Sequence, residues 1–138
     1  MAIPTFAVLW RNYPQGKIAG ACAQHTHQCA IKMSAALAKS CFTLKGYKDA
    51  TCKANGVVHA RGAESLANYL SWKMFKPLKQ PFYCARSAVK GKTGIIFFQN
   101  ITGFRGGEGD HIDLWNGSET KSGQYFKSCS WVWFWALK

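Results

Sequence analysis

The chain has 138 residues, a length that suits one domain with a core of its own and does not call for bridges or metal to fold. Eighteen Lys and Arg against six Asp and Glu leave a net charge of +12, which predicts an anionic partner: nucleic acid, acidic lipid, a cell-wall polymer or an acidic protein. No run of about 18 apolar residues occurs, which excludes a membrane-spanning helix, and the opening MAIPTFAVLWRNYPQG has neither a basic leader nor a small-residue cleavage site, so export is expected to read no cleaved signal.

No repeat and no low-complexity linker divides the chain, so one domain over 1–138 is expected. The first informative stretch is GACAQHTHQC, which packs Cys22, His25, His27 and Cys29 into eight positions. Two chemistries fit it. Cys and His are the ligands zinc prefers, but C-x2-H-x-H-x-C lacks the paired spacing of structural zinc sites. Alternatively, Cys29 directly precedes AIKMSAALAKS, where Ile31, Met33, Leu37 and Ala38 predict a helix. A thiol at such a helix start lies near free N–H groups and the positive end of the dipole, which favour the thiolate.

A second helix is predicted over about 63 to 75, with Ala63, Leu66, Ala67, Leu70 and Met74 on one face and Pro77 just beyond. Strands follow: GIIFFQNI (94–101), HIDLW (111–115) and SWVWFWAL (130–137). The glycine-rich GFRGGEGD (103–110) reads as the loop between the first two, either leaving backbone room for a ligand or simply turning a hairpin. Helices first and an antiparallel sheet afterwards describe an α+β domain.

Residues two apart in a strand share a face, so His111, Asp113 and Trp115 are expected on a polar side and Ile112 and Leu114 on an apolar one. A thiolate needs an imidazole to relay its proton and a third group to orient that imidazole. His111, on a later strand, is the best base for Cys29, and Asp113 is the acid that shares its strand face. Six cysteines, at 22, 29, 41, 52, 84 and 129, suit an oxidising compartment; with one thiol kept free, at most two bridges can form.

QCAIKMSAAL (28–37), KTGIIFF (92–98), DHIDLWNGS (110–118) and VWFW (132–135) together resemble the fourth family of amidase effectors delivered by bacterial type VI secretion systems. The resemblance implies a papain-like (NlpC-type) fold, N-terminal helices packed on an antiparallel sheet. It also implies a cysteine peptidase that cleaves the γ-D-glutamyl to meso-diaminopimelate bond of peptidoglycan stem peptides in the periplasm of a rival cell. Cys29 matches the family's nucleophile and His111 its base. Some members carry an aspartate about eleven residues after the histidine; here Ser122 stands there, between Glu119 and Gln124.

Asp113 is therefore the expected third catalytic residue, with Trp115 and Arg105 as expected cleft residues. No metal or cofactor is implied. The implied partners are peptidoglycan, a cognate immunity protein and the secretion apparatus, with no specific nucleic acid and no membrane insertion. The competing expectation is a non-enzymatic basic module that holds zinc at 22–29 and stacks its aromatics on nucleic-acid bases.

Overall fold

The computed structural model describes residues 2–104 and 107–138, Glu108 by its backbone alone. Its elements run in the order α1 (Phe6–Asn12), a 3-10 turn (Gly20–Gln24), α2 (Cys29–Lys39), β1 (Thr51–Ala54), β2 (Val57–Ala60), α3 (Ala63–Lys73), β3 (Leu78–Pro81), α4 (Phe82–Val89), β4 (Gly94–Phe104), β5 (Gly107–Trp115) and β6 (Trp131–Ala136). The fold is α+β, as expected, and both foreseen helices and all three foreseen strands are present. Among the described residues no helix is long and apolar enough to cross a membrane.

The main sheet has the order β3-β6-β4-β5, antiparallel throughout. Helices α1, α2 and α3 cover one face, where Leu37, Leu66 and Leu70 pack with Ile95, Phe97, Ile112, Leu114 and Trp135. Ala85 and Val89 of α4 and Phe126 cover the other, with Ile96, Phe98, Trp115 and Phe134. Burial on both sides explains why GIIFF is a continuous apolar run rather than an alternating one. It also corrects the expectation for β5: its His111–Asp113–Trp115 side is not a solvated polar face but a second core, with all three residues buried. Gly94 has a packing reason, since a Cβ there would lie 2.0 Å from the Trp135 carbonyl oxygen.

Helix α2 is the element that carries the site, and its ends are well defined. It stops in a Schellman motif: Cys41 takes a positive φ of 66°, Cys41 N–H donates to Ala38 O at 3.0 Å, and Phe42 N–H donates to Leu37 O at 2.8 Å. Phe42 and Leu37 are both buried in the first core. Midway along the helix, Ser34 Oγ donates to Ala30 O and accepts from the Ala60 N–H at 2.9 Å, which fixes α2 against β2.

Four pieces were not foreseen: α1, the β1–β2 hairpin, β3 and α4. The hairpin had a readable signal, because Asn55-Gly56 joins β1 to β2 with positive φ at both positions, the two-residue turn that suits strand twist. Helices α1 and α4 have 7 and 8 residues, too few turns for a clear period. The 103–110 segment is also corrected. Residues 103 and 104 belong to β4 and 107–110 to β5, and Gly109 is small because the Phe104 ring lies over it, 2.5 Å from where a Cβ would stand.

Candidate active site

Cys29 is the first residue of α2, and the segment before it is held by one side chain. Gln28, itself buried, donates from Nε2 to Cys22 O at 3.0 Å and His25 O at 2.8 Å, while its Oε1 accepts from the Ile18 N–H at 2.9 Å. A disulfide between Cys22 and Cys52 ties the same segment to β1. The chain is thereby fixed on both sides of the helix start. In the first turn the N–H groups have no intrahelical carbonyl to meet, so they face whatever lies at the helix mouth.

His111 on β5 lies beside that mouth. Its ring is flanked by Phe98 at 6.3 Å and Tyr125 at 5.2 Å between centroids. Its Nε2 is 2.7 Å from Asp113 Oδ2. The other ring nitrogen, Nδ1, has no partner within hydrogen-bond distance among the described residues, and the Cys29 thiol is the titratable group that acts on this ring besides Asp113. Burial pushes that thiol up, but the hydrogen bond and charge of His111, with the N–H groups of Ile112 and Ala30, outweigh it and hold Cys29 below its ordinary range. Burial pushes the imidazole down; hydrogen bonds to Asp113 and Cys29 and their charges outweigh it, and His111 is pushed up to about 9. Each group is among the causes of the other's shift, so the two titrate as a coupled pair.

Asp113 is completely buried and accepts from five donors. Oδ1 takes the N–H groups of Leu114 at 2.7 Å and Lys121 at 3.1 Å. Oδ2 takes those of Ser122 at 2.9 Å and Gly123 at 3.1 Å besides His111. The 116–124 turn thus folds back onto the strand and supplies backbone N–H groups, not a side-chain acid. Asn116 shapes that turn, its Oδ1 accepting from Ser118 and Glu119 N–H. Ser122 has its Oγ 2.6 Å from the hydroxyl of Tyr13. Burial, and then the nearby charge of Asp113, raise the Tyr13 phenol well above its ordinary value, so it stays neutral.

The expected residues are therefore brought together in part. Cys29 and His111 line an open cleft of about 380 Å³ whose walls include Lys17, Lys32, Ser122 and Tyr125, and Asp113 lies buried behind His111. Trp115 is not a cleft residue: it is 1% exposed, packed in the second core, and its indole N–H donates to Val89 O. Arg105 lies outside the described residues. Gln124 faces away, accepting from Arg86 at 2.9 Å. The zinc expectation loses Cys22, whose sulfur is bonded to Cys52.

Sequence reasoning missed Gln28, Tyr13 and the 121–123 donors.

A helix-borne thiol, an imidazole and a buried carboxylate on helices packed against an antiparallel sheet are the features of the papain-like hydrolases. The family model for type VI secretion system (T6SS) amidase effector protein 4, Tae4, matches residues 25–135, and the chain belongs to that family. It is an antibacterial effector and a hydrolase acting on peptidoglycan.

Solved structures agree in fold. The effector Tae4 from Salmonella typhimurium, in complex with the immunity Tai4 from Enterobacter cloacae, matches with a TM-score of 0.84 at 20% identity, covering 99% of this chain and 100% of that one. The type VI effector Tae4 from Enterobacter cloacae matches with a TM-score of 0.83 at 19% identity, over 99% and 98%. No curated protein matches the chain.

Proposed function

We propose that residues 1–138 form a single amidase domain that hydrolyses the γ-D-glutamyl to meso-diaminopimelate bond of peptidoglycan stem peptides by acyl transfer from Cys29. The observation that carries this reading is that Cys29 and His111 line one open cleft, with Asp113 bonded to His111 behind it, the thiol lowered and the imidazole raised. The Cys29 thiolate attacks the γ-carbonyl, and N–H groups of the first turn of α2, including that of Cys29, hold the oxyanion. Imidazolium His111 gives its Nδ1 proton to the leaving amine of diaminopimelate. Water then attacks the thioester with neutral His111 as base, releasing the γ-carboxylate and restoring the thiol. Asp113, fixed by four backbone donors, keeps the His111 ring oriented through Nε2.

The partners follow from the family and the charge. Tae4 of Salmonella typhimurium and of Enterobacter cloacae are both known bound to Tai4 immunity proteins, and a surface at +12 favours an acidic immunity partner as well as anionic murein. Loading by the type VI apparatus and action in the periplasm of the target cell complete the reading. Digestion of purified Gram-negative sacculi with mass identification of the fragments tests the bond. Stems ending in D-glutamate with a free γ-carboxyl, and partners beginning with free diaminopimelate, are expected; cleavage at the lactyl–alanine or D-alanyl bonds would replace this assignment.

A further inference from the structure

Lys17 and Lys32 stand in the wall of the cleft that holds Cys29 and His111. Lys32 follows Cys29 by three residues, one turn along the same face of α2, which puts their Cβ atoms roughly 5–6 Å apart. Lys17 comes from the segment before the 3-10 turn, and its place is not left to a loose loop. The next residue, Ile18, has its N–H held at 2.9 Å by Oε1 of Gln28, the residue directly before Cys29, and the Nε2 of that buried amide is spent on Cys22 O and His25 O. One side chain thus sets the distance between Lys17 and the nucleophile.

Neither lysine has a carboxylate partner among the described residues. The acid closest to the cleft, Asp113, is completely buried and saturated with donors. The lowering of the Cys29 thiol has its causes in His111, Ile112 and Ala30 rather than in these two cations. Two unpaired ammonium groups therefore face an open space beside the reacting sulfur.

We propose that Lys17 and Lys32 form a carboxylate clamp that selects acyl donors bearing a free carboxylate beside the scissile carbonyl. The proposal rests on the γ-D-glutamyl reading and deepens it. A γ-linked glutamyl group keeps its α-carboxylate, a few bonds from the carbonyl that Cys29 attacks, and that is the anion within reach of a cation one helical turn from the thiolate. The α-carboxamide form of the same residue, D-isoglutamine, has the same shape and no charge. It should be a poor substrate, because a charge-assisted contact is replaced by a neutral one.

The test compares two synthetic tetrapeptides, L-Ala-γ-D-Glu-diaminopimelate-D-Ala and its D-isoglutaminyl counterpart, with the wild type, Lys17→Met, Lys32→Met and the double variant. Charge-assisted hydrogen bonds are worth about 10- to 100-fold, so the wild type should favour the free acid by that factor in kcat/KM. Each single variant should reduce the ratio, and the double variant should bring it near one. Equal rates on both peptides with the wild type, or an undiminished ratio in the double variant, would overturn the clamp and leave the bond assignment standing. Cleavage of neither peptide, with intact murein still degraded elsewhere, would remove the bond assignment and the clamp with it. Thermal melting of each variant confirms that the comparison is made on folded protein.

Discussion

Replacing Asp113 by asparagine changes one atom and should disturb the protein more than a surface view of β5 suggests. Oδ2 accepts from His111, Ser122 and Gly123, and Oδ1 from Leu114 and Lys121. An amide has one acceptor end. If its NH2 takes the Oδ2 position, the N–H groups of Ser122 and Gly123 lose their acceptor and His111 meets a donor. If it takes the Oδ1 position, Leu114 and Lys121 are stranded instead. Either way at least two buried donors go unpaired, at about 1.5–3 kcal/mol each for bonds to a charged acceptor. The expected loss is about 3–6 kcal/mol, a large share of the roughly 5–15 kcal/mol that a domain has in total. Urea unfolding of wild type and Asp113→Asn, with linear extrapolation, measures it. Turnover of the folded fraction should also fall by orders of magnitude, since the imidazole loses the acceptor that orients it. An unfolding midpoint within error of wild type would refute the account of this carboxylate as the hub that fixes both the turn and the ring.

Three further outcomes follow from the same structure. Alkylation of Cys29, followed by peptide mass mapping against pH, should show a midpoint below about 8.5, the ordinary thiol value, because His111 and two backbone N–H groups outweigh burial. The alkaline limb of kcat/KM should lie near the His111 value of about 9: the imidazolium needed to protonate the leaving amine is present below that pH and is lost as pH rises through it. An alkylation midpoint at or above about 8.5 would contradict the pairing of Cys29 with His111. The double variant Cys22→Ser with Cys52→Ser opens a bridge with a sequence separation of 30, a loop whose closure is worth about 3–4 kcal/mol by unfolded-state entropy; urea unfolding with a loss below about 0.5 kcal/mol would show that the bridge does not hold the segment leading to Cys29.

What could be read from residue order was whatever a short local period determines. The start of α2 at Cys29 follows from the apolar spacing after it, and the common side of His111 and Asp113 follows from the two-residue repeat of a strand. The environment of that side did not follow. It is decided by α4 and by Phe126, which pack over Trp115 from distant parts of the chain, so an aromatic expected at a cleft proved to be core. The third group is a sharper case. The family pattern pointed to the 119–124 turn and the strand pattern to Asp113, and both elements take part, one through a carboxylate and the other through backbone N–H groups. Backbone donors leave no trace in residue type, which is why Lys121, Ser122 and Gly123 could not be foreseen in that role. Gln28 was silent for a related reason, because a buried amide that braces a loop looks, in sequence, like any polar residue before a helix.

The central claim is that the sulfur of Cys29 is the nucleophile, and it is tested most directly by treating purified sacculi with equal amounts of wild type and Cys29→Ala and quantifying released fragments by mass. The substitution removes a half-buried thiol at a helix start, where alanine is tolerated, so the far-ultraviolet circular dichroism should be unchanged. Fragment release should fall to the level of the buffer control in the variant while the wild type digests the wall. Release by Cys29→Ala at a rate comparable to wild type would contradict the account at its root.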